Sequence, residues 1–346
     1  MTMKEGALIR FLIVALPTGL LFLGVAAMLK THLSTPDIPI DPNEESRLDA
    51  AALNRKPVNR IDIERYLKTL TETIGERHVG KPEKLEQTAV WIESSLGGGN
   101  IGYPIERQFY DVDGVGVRNL IAELPGKTRR DEIIIVGAHY DTVPGSPGAN
   151  DNGTGVAALI SLAQAMAGDQ QARTIRFIAF VNGEAPYFQT DRMGSRVYAA
   201  RSSSRRENIV AMISLDSLGS FSEAENSQKV PEGLEGQLPT TGNFLAFTGD
   251  ENSRYFADSA GTAFASASGL PVIGGAFSTE VPWVASSDHG SFWEAGYKAV
   301  MVTDTSSFRY PHHHKATDTM EKIDRDQFVK VVTGLEAVVK TWANPE

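Results

Sequence analysis

Cysteine is missing from the whole 346-residue chain. Its absence excludes disulfides and thiolate metal sites, so any metal must be held by histidine and carboxylate. A basic excess is missing too. The 33 Lys+Arg against 43 Asp+Glu give a formal net charge of −10, whereas nucleic-acid binders usually carry a basic face. Nucleic acid is therefore not an expected partner. There is no run of like charge long enough to serve as an interaction tail, and no internal repeat.

One long apolar run stands out. Phe11–Leu29 contains no charged residue and follows Lys4 and Arg10; a helix needs about 20 apolar residues to cross a bilayer. We expect residues 1–30 to form an uncleaved signal anchor that leaves the N-terminus cytoplasmic and the rest outside. A cleaved signal peptide, which would make the protein secreted, and a soluble core helix are the alternatives. Residues 31–60 are polar and carry Pro36, Pro39, Pro42 and Pro57, which reads as a linker. The folded body is expected over 61–346, a length suited to one large α/β domain.

Within that body, amphipathic helical spacing covers Ile61–Ile74 and Pro82–Leu96, the latter ended by Gly97-Gly98. Ile105–Tyr110 and Val117–Leu124 read as strands with a hairpin-like turn at Asp113-Gly114. The rhythm then alternates. Glu132–Ala138, Thr174–Val181, Ile209–Leu215 and Ala299–Thr303 are short apolar runs suited to buried strands. Gly153–Ala167, Met193–Ser202 and Glu321–Ala343 have helical patterns, and Ser220–Leu245 reads as a surface excursion. The pattern predicts a three-layer α/β sandwich around a mostly parallel central sheet.

Ligands in such sheets bind outside the carboxyl ends of the strands. His139 follows the Glu132–Ala138 strand, Glu184 comes three residues after Val181, and Asp216 follows Leu215. Asp151 precedes a helix that Asn150 is placed to cap. Singly, each has an ordinary structural explanation; together they deliver zinc-type donors to one rim, with a further histidine from His312-His313-His314. Two zinc ions sharing a carboxylate can activate a water and polarise a carbonyl together. Asp141 is positioned to bond the far nitrogen of His139. Asp318 is expected either to do the same for His314 or to cap a helix with Thr319.

These motifs resemble the di-zinc aminopeptidase family, co-catalytic zinc exopeptidases related to glutamate carboxypeptidases and glutaminyl cyclases. The resemblance rests on GAHYDTVPGSPGANDNGTG at 137–155, FVNGEAPYFQTDRMGS at 180–195, ISLDSLG at 213–219, SDHGSFWEAGYKAVMVTDT at 287–305 and RYPHHHKATDT at 309–319. GERHVG at 75–80 and RNLIAELPG at 118–126 add to it. It implies a peptide substrate with a free N-terminus and two zinc ions per chain. His139 and Asp216 would hold one ion, Glu184 and His314 the other, with Asp151 between them and a cis peptide after it. It also implies that Ser287-Asp288-His289 lines the substrate site.

The third cluster departs from the family pattern. Two consecutive glutamates are usual there, the first a general base and the second a ligand, but this chain has Asn182-Gly183-Glu184-Ala185-Pro186. Alignment of Tyr187-Phe188-Gln189-Thr190 and Met193-Gly194-Ser195 puts Glu184 in the ligand slot and Gly183 in the base slot. In the rival register Glu184 is the catalytic base and Ala185 a lost ligand. Three functions follow: a membrane-anchored aminopeptidase, an impaired zinc-binding pseudo-peptidase, or a glutaminyl-cyclase-like enzyme.

Overall fold

The computed structural model describes residues 44–345 apart from residue 99. The apolar stretch Phe11–Leu29 and residues 31–43 of the expected linker lie outside the described residues. Among those residues no helix is long and apolar enough to cross a membrane. Residues 44–60 differ from the linker reading. Glu44–Leu53 is a helix, α1, whose Ala51 is 2% exposed and belongs to the main core. Asn54 Nδ2 donates to Ile101 O at 3.4 Å, and Arg55 pairs with Asp169. The short, alanine-rich helix docks through Leu48 and Ala51, too few apolar positions to stand out from the polar stretch around it.

Helix α2, Arg60–Lys68, is capped by Asn59, whose side chain accepts from Asp62 N at 2.9 Å. It runs into a wider turn over Thr69–Ile74. Pro82–Leu96 forms α3 with proline in its first turn. Strands β1, Ile105–Val112, and β2, Val115–Leu124, form a hairpin. Asp113 (φ 53°) and Gly114 (φ 82°) give it the left-handed turn that matches strand twist.

The alternating part follows: β3 Arg129–His139, α4 Gly155–Ala165, β4 Arg173–Phe180, α5 Gly194–Ser204 and β5 Ile209–Leu215. Then come β6 Leu245–Gly249, α6 Arg254–Ser268, β7 Val272–Ala276, α7 His289–Glu294, β8 Ala299–Thr303 and α8 Arg325–Ala343. The eight strands form one sheet in the order β1-β2-β4-β3-β5-β8-β6-β7. It is mixed rather than mostly parallel: β3/β4, β3/β5, β5/β8 and β6/β7 are parallel, while β1/β2, β2/β4 and β6/β8 are antiparallel.

The period of two along the strands creates the layers. On β3, Ile134, Val136 and Ala138 face a core shared with Leu159 of α4, Phe264 of α6 and Val331 of α8. Ile133 and Ile135 face the opposite layer, with Tyr198 of α5 and Phe292 of α7. A third cluster joins Phe244, Trp283 and Met301 beneath the long excursion. With both sheet faces covered, the carboxyl edge of β3, β4 and β5 is the exposed rim that remains.

Candidate metal centre

His139 is the last residue of β3, paired with Phe180 at the end of β4. The next turns of chain carry the other donors. Glu184 sits just past β4, and Asp216 just past β5, where its backbone N–H donates to Val302 O on β8 at 3.1 Å. The register of three neighbouring strands therefore decides where these side chains start.

Asp151 stands at the centre. Its Oδ1 lies 3.5 Å from His139 Nε2, which is 3.7 Å from Asp216 Oδ2. Its Oδ2 lies 3.0 Å from His314 Nε2, which is 3.4 Å from Glu184 Oε2. All five sequence-predicted donors thus converge, with the two oxygens of one carboxylate facing two separate sets. The peptide after Asp151 is cis. His313 joins them: its Nδ1 is 3.1 Å from Asp151 Oδ2 and its ring stacks on His314 at 3.7 Å. Asp151 and both histidines form one group able to hold a metal; His139, Asp151 and Asp216 form another.

The surroundings fix Asp151 more firmly than the sequence suggested. Asp318 accepts from Asn150 N (2.9 Å), Asp151 N (3.2 Å) and Tyr310 Oη (2.8 Å). It bonds the backbone of the bridging segment, so neither of its expected roles, an imidazole partner or a cap with Thr319, is the one observed. Asn150 Nδ2 donates to Asp304 at 2.9 Å, and the helix cap belongs to Asn152, whose Oδ1 accepts from Gly155 N at 3.1 Å. Gly148 (φ 62°) precedes this segment at close quarters: a Cβ there would meet Thr142 Cγ2 at 2.3 Å and Asp151 O at 2.6 Å.

Asp141 also differs from expectation. It is 3.6 Å from His139 Nδ1, too long for a hydrogen bond. Its oxygens instead accept from Gly183 N at 2.8 Å and Glu184 N at 3.1 Å, pinning the loop that bears Glu184. Ser287 Oγ donates to Asp216 Oδ2 at 2.6 Å. Asp288 and His289 are fully buried and do not line the main cavity, contrary to the reading of their motif as a substrate loop. His289 Nε2 donates to Val284 O at 2.7 Å, and burial lowers this imidazole to about 4.

Arg77, which sequence reasoning did not single out, is fully buried behind the site. It donates to the carbonyls of Leu70, Gly75, Tyr140, Pro147 and Gly148. A buried arginine carries no periodic signal; its place within GERHVG was the available clue.

Electrostatics describe a centre that demands positive charge. Burial opposes the charged form of His139, yet Asp141, Asp151 and Asp216 outweigh it and hold the imidazole well above its ordinary value. His314 is likewise raised to about 10 by Asp151 and Glu184 against burial. Burial, then the charge of Asp151, pushes Glu184 up to about 7. Asp151 stays well below the usual carboxylate range because three imidazoles outweigh its burial. Glu184 Oε1 has no hydrogen-bond partner among the described residues. The buried His139, the partly accessible His313 and His314, and buried carboxylates with an unpaired oxygen form a donor set suited to zinc.

The centre opens into a cavity of about 640 Å³, lined on one side by His139, Asp151, Glu184 and His314. Its other walls include Phe188, Pro282, Trp283, Met301 and Phe308. A volume of this size fits a small organic ligand or a terminal residue of a peptide.

The family model described as Peptidase family M28 matches residues 119–339, well over half of the chain. The chain belongs to peptidase family M28. The uncharacterized protein YfbL of Escherichia coli is similar over 282 residues at 27% identity, spanning 79% of this chain and 85% of that protein. Aminopeptidase YwaD of Bacillus subtilis is 28% identical over 213 residues, 59% of this chain and 39% of that protein. The chain thus spans less than half of YwaD. Among solved structures, BSAP, a zinc aminopeptidase from Bacillus subtilis, superposes with a TM-score of 0.64 at 17% identity, covering 83% of this chain and 96% of that one. At that identity the likeness is one of fold. The M28 membership places this chain in a peptidase family, with an aminopeptidase among its sequence relatives and a zinc aminopeptidase among the structures that share its fold.

Proposed function

We propose that this chain is a two-zinc peptidase acting on peptides with a free N-terminus. His139 and Asp216 would hold one ion, Glu184 and His314 the other, and Asp151 would bridge them. One observation carries the reading: the two oxygens of Asp151 point to different donor sets, 3.5 Å from His139 Nε2 and 3.0 Å from His314 Nε2. Bound zinc would supply Lewis-acid polarisation of a carbonyl and lower the pKa of a water.

The protein's own residues do the remaining work. Asp318 and Asp141 hold the backbones of Asp151 and Glu184, so the donors are set before substrate arrives. Phe188, Trp283, Met301 and Phe308 give the cavity an apolar wall, which favours an apolar first side chain. Glu184 lies beside His314, which supports the register with Glu184 as ligand and Gly183 in the base slot. Position 183 then contributes no proton acceptor. General acid–base help is typically worth ~10²–10⁴ in rate, so slow turnover on ordinary peptides is expected.

The empty base slot favours a second reading, a zinc-holding pseudo-peptidase. Elemental analysis of the protein together with a panel of aminoacyl amides and an N-terminal glutaminyl peptide separates the readings. Two zincs with chelator-sensitive release of apolar residues supports the peptidase. Two zincs without turnover supports the pseudo-enzyme. Ring closure of the glutaminyl peptide would move the chain to the cyclase class, and absence of zinc sinks all three. We further propose that Phe11–Leu29 anchors the protein with this body outside the cytoplasm, which protease accessibility of intact cells would test.

A further inference from the structure

Gly183 has a second property besides lacking a carboxylate. A Cβ built on it would stand 2.4 Å from His139 Cγ, 2.5 Å from His139 Cβ and 2.9 Å from His139 Nδ1. Carbon atoms in favourable contact sit about 3.5–4.0 Å apart. The atoms in the way are the root of the histidine side chain, which rotamer changes cannot move far.

Neither side has room to withdraw. The Gly183 N–H is held by Asp141 Oδ1 at 2.8 Å, and the next N–H by Asp141 Oδ2 at 3.1 Å. His139 ends a central strand hydrogen-bonded on both flanks, and the following Tyr140 N–H donates to Phe180 O at 2.8 Å. His139 itself is 4% exposed. Gly183 is not in the left-handed region that favours glycine; the demand is for space.

We propose that Gly183 is a positioning residue that seats His139. Its bare Cα lets the imidazole stand where Nε2 meets Asp151 and Asp216, and the site is closed to any side chain at 183. Glutamate at this position therefore displaces a zinc ligand instead of supplying a base. The proposal rests on the zinc reading above.

The test measures zinc content and a stability cycle. Full-length wild type and G183A are equilibrated with zinc, desalted and assayed by elemental analysis. Wild type should retain two ions per chain and G183A about one, because the Glu184/His314 set is untouched. A general loss of structure would instead remove both. Thermal midpoints of the zinc-free proteins complete the cycle: G183A lowers the midpoint beside His139 but not beside H139G, which removes the crowding atoms. Two zincs in G183A, or equal losses in both backgrounds, overturn the proposal. Should G183A fail to fold, recovery in the G183A/H139G double variant supports it and continued failure overturns it. A zinc-free wild type defeats the metal reading alone, since the cycle still decides whether Gly183 seats His139.

Discussion

Arg77 Nε donates to the carbonyl of Tyr140 at 2.6 Å, tying the turn before α3 to the residue that follows His139. Four further carbonyls share this guanidinium. Burial lowers Arg77 to about 10, while Asp141, Asp318, Asp151 and Glu184 act in the other direction. Replacing Arg77 with methionine takes the donor from the carbonyls of Gly75, Tyr140 and Pro147, while Leu70 O and Gly148 O keep the N–H groups of Gly75 and Gly153. Each unsatisfied buried group costs ~1–3 kcal/mol, so the loss should reach ~3 kcal/mol or more, at the upper end of ordinary single substitutions. Urea unfolding of the zinc-free protein measures it; a loss below about 1 kcal/mol would contradict the accounting.

Asp318→Asn tests the clamp on Asp151. Both carboxylate oxygens accept from backbone N–H groups, and an amide can match only one of them. We expect destabilisation of ~1–3 kcal/mol and weaker zinc retention, read as faster loss of zinc to a chelator. Wild-type retention kinetics in this variant would show that the backbone of Asp151 needs no clamp.

Removal of metal should unsettle the fold. A ligand at 100 times its Kd stabilises the native state by ~2.7 kcal/mol. Chelation is expected to lower the thermal midpoint by several degrees, and zinc to restore it. Asp151→Ala should abolish the difference between chelated and zinc-treated samples, as calorimetry would reveal.

Glu76 supplies a pH prediction. Lys81, with help from His78 and the Gly145 N–H against burial, lowers its carboxyl from 4.5 to about 2. A folded value below the unfolded one means stabilisation that is present above about 4.5 and lost as pH falls through about 2. Glu76→Gln should therefore weaken the protein at pH 6 and have a smaller effect at pH 3. Urea midpoints at those two pH values settle the matter, and an equal loss at both would speak against an ionic origin.

The sequence made some parts legible and hid others for physical reasons. Ile209–Leu215 and Ala299–Thr303 were readable to the residue because strands buried on both faces are unbroken apolar runs. Strands β6 and β7 were not foreseen: LAFTG and VIGGA are short and glycine-bearing, and their burial comes from neighbours rather than pattern. His139, Glu184 and Asp216 could be named as candidates because they follow strand ends, whereas Asp151 precedes a helix and His314 was chosen among three adjacent histidines through the family resemblance. The supports could not. Asp318, Asp141 and Arg77 bond backbone atoms, and backbone partners leave no trace in side-chain identity. Ser287-Asp288-His289 misled because buried and cavity-lining polar residues look alike in a string of letters.

The contacts that hold Asp151 join residues 167 positions apart in the chain. The long stretch between them must be in place before the Asp151 carboxylate gains its brace, and His314 comes from the same distant segment. A chain folding from the N-terminal side would carry an unfinished cluster of buried acids, and any stop upstream of position 314 removes His314 and the Asp318 brace together. Under the zinc reading, metal loading is therefore expected to follow the docking of that segment.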